Sequence, residues 1–174
     1  MKVSSLFFFV GIFVLTACSP TAMEPEQQSD SALLESQNRI EFVEFGYPIQ
    51  AVMPADLADK GTAVVDFNSS SGELTVNVDG GYTFHIMEDP TPLAQLRDDL
   101  RNDEVFSYTF YEEGDDGFLY ESALPTGETY SFHVMRSFDI DGRKFIAVTD
   151  DNLVYSKYEA RLVSETINSL SKVQ

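Results

Sequence analysis

Two six-residue segments, Tyr82-Thr83-Phe84-His85-Ile86-Met87 and Tyr130-Ser131-Phe132-His133-Val134-Met135, carry the only two histidines of the 174-residue chain. In an extended backbone each puts Tyr, Phe and Ile or Val on one side and Thr or Ser, His and Met on the other. If the two strands lie close in one sheet, His85 and His133 share a face. Two imidazoles with an acidic neighbour such as Asp103 or Glu121 would then be a donor set for a divalent cation. The thioethers of Met87 and Met135 would suit copper(I). The plainer reading of the same alternation is a half-buried strand, its His and Met packed beneath a helix or partly exposed. His85 and His133 therefore stand as metal candidates only, and no cofactor is expected.

Acidic loops are the second place where chemistry could reside. Glu112-Glu113-Gly114-Asp115-Asp116-Gly117 and Asp139-Ile140-Asp141-Gly142 are rich in oxygen donors, which invites calcium. Neither has carboxylates at alternate positions through a loop closed by Glu. The first is expected to be a solvated loop, and Asp141-Gly142 a two-residue hairpin turn. The nucleophile and zinc signatures Gly-x-Ser-x-Gly and His-Glu-x-x-His do not occur in the sequence. The many Asp and Glu leave room for a glycosidase pair, but the chain has no Trp to form a sugar platform, although Tyr could substitute. The expectation is a protein that is not an enzyme.

Cys18 is the only cysteine, so no disulfide forms within the chain and no thiolate metal site is available. It follows Met1-Lys2, an apolar run from Val3 to Val14, and Leu15-Thr16-Ala17. A basic start, an apolar stretch of about a dozen residues and a small-residue cleavage site predict a secretory signal peptide over residues 1–17. A membrane span would need about 20 apolar residues. Leu15-Thr16-Ala17-Cys18 resembles the bacterial lipoprotein box. That resemblance implies a diacylglycerol on the Cys18 thiol, cleavage before it and acylation of the new amine. By the same resemblance Ser19, where an Asp would favour inner-membrane retention, implies the outer membrane, facing the periplasm.

Composition limits the partners. The formal net charge is −18, from 29 acidic and 11 basic side chains. Nucleic acid needs clustered Lys and Arg, and an anionic lipid surface would repel this chain. Membrane attachment is thus expected through N-terminal acyl chains, of which two or more anchor stably. With 14 Phe and 8 Tyr, the chain has the apolar content of a globular domain.

These residues must be positioned by a small set of elements. Residues 18–38 are rich in Ser, Pro, Glu and Gln and predict a flexible tether. Residues 39–174 predict one domain. Alternation predicts strands over Ile40 to Phe45, Ile49 to Met53, Ala63 to Phe67, Glu73 to Val78 and Tyr82 to Met87, with Asp79-Gly80-Gly81 as a hairpin signal. Pro54 to Asp59 reads as a turn or a single helical turn. Thr91 and Pro92 open a helix with Leu93, Leu96 and Leu100 as its stripe. Strands follow over Val105 to Tyr111, Phe118 to Leu124, Thr129 to Phe138 and Lys144 to Thr149. A last helix is expected from Ser156 to Lys172, burying Tyr158 or Leu162, with Val163, Ile167 and Leu170. Connections of hairpin length imply antiparallel pairing, and helices laid on such a sheet give an α+β fold.

The run Tyr47-Pro48-Ile49-Gln50-Ala51-Val52-Met53-Pro54-Ala55-Asp56-Leu57-Ala58-Asp59 resembles the opening of DcrB-like envelope lipoproteins. The helix around Leu93 to Leu100 and the ending from Thr149-Asp150-Asp151 to Thr166-Ile167-Asn168-Ser169-Leu170 are similar as well. The resemblance runs over roughly residues 47 to 172 in order of elements, and is specific at its two ends. It implies a PsbP/Mog1-like α/β/α sandwich, a mainly antiparallel sheet flanked by helices, and a non-enzymatic domain with a partner-binding or supporting role. It carries over no catalytic residue. The expectation is a lipid-anchored cell-envelope module that engages an envelope protein with a basic surface. The alternative is a periplasmic metal- or small-ligand-binding lipoprotein using the His85/His133 face.

Overall fold

Alternating residues between Ala63 and Thr149 build most of the domain. The computed structural model describes residues 38–79 and 81–173, so Cys18, the signal segment and nearly all of the expected tether lie outside the described residues. The strands are β1 Arg39–Glu41, β2 Ile49–Val52, β3 Ala63–Asn68, β4 Glu73–Val78, β5 Tyr82–Glu88, β6 Ser107–Tyr111, β7 Gly117–Ala123, β8 Thr129–Ile140, β9 Arg143–Thr149 and β10 Ser171–Lys172. The helices are α1 Ala55–Ala58, α2 Leu93–Arg101 and α3 Lys157–Asn168. A seven-stranded sheet runs β3-β4-β5-β9-β8-β7-β6, and a three-stranded sheet runs β1-β2-β10. All pairings within them are antiparallel. The fold is α+β.

Each face of the large sheet has its own core. On one face Leu74, Val76, Phe84, Ile86, Val134, Phe145 and Ala147 pack with Ile49 and Ala51 of the small sheet and with Val163 and Ile167 of α3. On the other, Leu93 of α2 packs with Phe118 and Tyr120 of β7, and Leu100, Tyr108, Phe110 and Met135 close around them. The guanidinium of Arg97 lies 5.0 Å from the Phe118 ring centre and that of Arg101 lies 5.1 Å from Phe110, so α2 docks through cation–π contacts as well as Leu93. The two helices therefore cover opposite faces, α2 only at the β6–β7 end.

Three expectations change at element ends. The first strand stops at Glu41, because Val43–Phe45 forms a 3₁₀ turn closed by Gly46 at φ +83°. The N-cap of α2 is Pro92, not Thr91, whose own N–H is held by Asp89 Oδ1 at 2.8 Å. The last helix ends at Asn168, four residues early. Ser169 Oγ accepts the Val52 N–H at 2.7 Å and lies 2.6 Å from Thr166 O and 3.1 Å from Val52 O, and the chain beyond it turns into β10, Ser171–Lys172. Of the two residues expected at the start of that helix's buried stripe, Leu162 takes the position and Tyr158 is 57% exposed.

The acidic run from Glu112 to Gly117 is not merely a solvated loop. Glu113 pairs with Arg97 and Arg101 of α2, Asp116 with Arg136 of β8, and Glu112 with Arg161 of α3. Its carboxylates meet arginines from both sides of the sheet. Asp141 and Gly142 form the expected hairpin turn between β8 and β9.

Candidate functional site

His85 and His133 do lie on the same face of the large sheet. His85 pairs in register with Thr75 and Val148, and Val148 in turn with Met135, two residues from His133 on β8. One strand, β9, separates them, so their strands are about 10 Å apart. Their surroundings differ. His85 sits on the half of the face that α2 leaves open. Its Nδ1 is 2.7 Å from Glu73 Oε1 and 3.2 Å from Thr75 Oγ1, and its Nε2 is 3.6 Å from Asp150 Oδ2.

His133 is buried, 4% exposed. Its ring lies between Tyr120 and Tyr155, at centroid distances of 5.3 and 6.0 Å. Nδ1 faces two oxygens, Thr149 Oγ1 at 3.2 Å and Asp151 Oδ1 at 3.8 Å. Thr149 Oγ1 in turn accepts the Val134 N–H at 3.1 Å, which ties the imidazole to the backbone of its own strand. Burial holds the His133 pKa below its ordinary value, against the opposing pull of Asp151 and Asp150.

The two histidines are thus not brought into one coordination sphere. Consecutive aspartates serve them separately, Asp150 toward His85 and Asp151 toward His133. Of the acids expected beside them, Glu121 lies on the opposite face, bonded to the hydroxyls of Tyr111 and Thr129. Among the described residues no group of three or more His, Cys, Asp or Glu is placed to hold a metal ion.

What the face does form is a cleft over His133. It has a volume of about 300 Å³ and lies between the end of α2, the chain entering β6, and the strands β7 and β8. Aromatic rings wall it. Phe106 lies 5.5 Å from Tyr130 and 6.4 Å from Tyr108, and Tyr108 lies 5.7 Å from Tyr120. Two carboxylates stand among them. Asp103 accepts the N–H groups of Val105 and Phe106 at 2.6 and 2.9 Å and the Tyr108 hydroxyl at 3.3 Å. The Phe106 and Val105 N–H groups hold the Asp103 carboxyl below the usual range. Asp151, the second, is 78% exposed in its side chain. Burial, with Asp103 next, pushes the Tyr108 phenol up to about 12, and burial above all raises Tyr120. At neutral pH the cleft therefore holds neutral phenols, a neutral imidazole and two negative charges. It has room for a side chain or small ligand and chemistry suited to a cation.

A larger cavity of about 460 Å³ lies at the other end of α2 and includes Asp116, Arg136 and Lys144. Its guanidinium is already engaged, by Ile167 O at 2.9 Å and Asp116 Oδ2 at 3.2 Å.

Compared with known proteins, the chain matches no family model, and neither a curated protein nor a solved structure matches it.

Sequence reasoning placed His133 and Asp103 near each other but missed Phe106, Tyr108, Tyr120, Tyr130 and Asp151 as a group. The signal was present in part. Tyr108 and Phe110, and Phe118 and Tyr120, alternate on paired strands, which is how two strands present rings to one face. By strand alternation Tyr130 falls on the side opposite His133. It lies near the register shift between β7 and β8 and stands 43% exposed beside Phe106.

Proposed function

We propose that the chain is a lipid-anchored protein of the bacterial cell envelope that binds a partner and catalyses no reaction. The anchor is Cys18, and the membrane is the outer one, with the domain facing the periplasm. The observation that carries the binding role is the cleft over His133. It joins exposed aromatic surface to two carboxylates and has no Lys or Arg in its lining. Aromatic anchors supply affinity at protein interfaces. A chain with a formal charge of −18 steers and selects a partner with a basic surface. Helices on opposite faces of an antiparallel sheet also support the finer fold reading, a PsbP/Mog1-like sandwich of the DcrB-like kind.

A small-ligand-binding lipoprotein is the second reading, favoured by the cleft's volume, which is at the lower end for small-molecule sites. It would use the His133 half of the histidine face.

The test has two arms. Mass spectrometry of the mature protein should find Cys18 at the N-terminus carrying acyl chains, and Cys18→Ser protein should leave the membrane fraction. An unmodified N-terminus upstream of Cys18 would refute the anchor. In native envelopes the acylated protein should hold a basic protein with an affinity that falls steeply with salt. Capture indifferent to salt would refute the electrostatic partner.

A further inference from the structure

We infer that the cleft over His133 receives one cationic side chain, Lys or Arg, inserted by the partner protein. The inference rests on the partner-binding reading and names what fills its central site.

Three observations carry it. The first is charge. Asp103 and Asp151 contribute two carboxylates, and no basic side chain lines the cleft to balance them. An anion would be repelled, and a neutral ligand would leave both charges uncompensated. The second is the wall. Phe106, Tyr108, Tyr120 and Tyr130 present ring faces and edges around a space of about 300 Å³. Rings attract a cation above their faces and cover the methylenes of a Lys or Arg stem. The third is the floor. Tyr120 and His133 line the cleft beneath the other rings, and the phenol oxygen of Tyr120 can accept from an ammonium or guanidinium.

The chain's own N-terminal segment does not supply this cation. From Cys18 to Asn38 the sequence contains no Lys or Arg. The charge of the whole domain instead draws a basic macromolecular surface toward it, and the half-exposed Tyr130 at the rim extends the contact beyond a single side chain.

The test uses acylated full-length protein in detergent micelles with labelled histidine, whose two rings give one signal inside the cleft and one outside it. N-acetyl-lysine methylamide and N-acetyl-arginine methylamide are the probes, and N-acetyl-norleucine methylamide is the uncharged control. The cationic probes should shift the His133 ring signals saturably in the millimolar range while His85 moves little, and the norleucine probe should leave both in place. Asp151→Asn should weaken the cationic probes about fivefold, and Tyr130→Leu, at a half-exposed position that folding tolerates, should weaken them as well. Equal binding of the norleucine probe, His85 shifting in step with His133, or full affinity in both variants would each overturn the inference. Salt-sensitive capture of a basic envelope protein that survives both substitutions would overturn this cleft as the contact and leave the binding module standing. Probes that enter the cleft of a protein capturing no basic partner would overturn the partner as the source and point to a free amine.

Discussion

The His133 ring lies against the Tyr120 ring, their centroids 5.3 Å apart and their planes 31° from parallel. An imidazolium in that position would lose its hydration, and burial accordingly lowers the His133 pKa despite Asp151 and Asp150. In the unfolded chain the same group titrates near 6.5. Below that pH the unfolded state binds more protons than the folded one, so stability rises with pH through this region and falls on acidification. The expected outcome is a urea midpoint that drops between about pH 7 and pH 5. His133→Phe, which keeps a ring against Tyr120, should flatten that part of the curve. The depressed carboxyl of Asp150 acts in a different window. It stabilises above about pH 4 and loses that effect below, in both proteins alike. Parallel curves for the two proteins from pH 7 to 5 would refute the assignment.

Arg136 and Arg161 each pair with the same acidic loop, yet they should not cost the same to remove. Arg136 donates to the Ile167 carbonyl in the last turn of α3 at 2.9 Å and to Asp116 at 3.2 Å, with its side chain largely buried. A charged donor on a helix C-terminal carbonyl is favourable on both hydrogen-bond and dipole grounds. Arg161 and Glu112 are each about half exposed, where an ion pair contributes at most about 1 kcal/mol. Arg136→Ala should therefore destabilise by about 1.5–3 kcal/mol, and Arg161→Ala by less than about 1 kcal/mol, as read from urea midpoints. Equal losses would mean that the acidic loop acts only as a diffuse charge.

Much of this fold could be read from the sequence where a local rule decides the outcome. Strands β4 and β5 stood out because apolar residues alternate with polar ones along them, and β7 and β9 because short apolar runs lie between turn residues. The start of α3 follows from Ser156 and Glu159, which form a reciprocal capping box. What escaped was set by distant partners. The helix end at Asn168 depends on Ser169 reaching Val52, 117 residues away in the chain. The short β1, β2 and β10 became a separate sheet, which no local pattern announces. The cleft escaped for the same reason, since Phe106, Tyr120, Tyr130 and Asp151 come from four separate segments. The histidine pair went the other way. Its shared face was legible from alternation, but the strand inserted between β5 and β8 was not.

Ile167 lies at the centre of the larger core, fully buried on α3 against the sheet. Truncation to Ala removes apolar contact and leaves a cavity the sheet cannot close. Ile167→Ala should cost about 2–5 kcal/mol, seen as a lower urea midpoint with an unchanged slope. Val64, 57% exposed on β3, is the control, and Val64→Ala should stay within about 0.5 kcal/mol. A small loss at Ile167 would contradict the packing of α3 against the sheet.

The turn between β8 and β9 isolates a purely backbone effect. Asp141 and Gly142 have φ of +56° and +79°, the left-handed pair that a tight two-residue hairpin requires. A Cβ added at Gly142 would meet nothing within 4 Å, so no steric clash with the rest of the molecule enters the cost. What remains is the penalty for holding an L-residue at positive φ, which is about 1–2 kcal/mol for Ala and lower for Asn, whose side chain tolerates that region. The expected stability order at this position is Gly, then Asn, then Ala, measured by thermal unfolding of the three proteins. Because the turn sets the register between β8 and β9, an Ala that costs nothing would mean the hairpin has slipped, and the Asp139–Lys144 pairing would be lost with it.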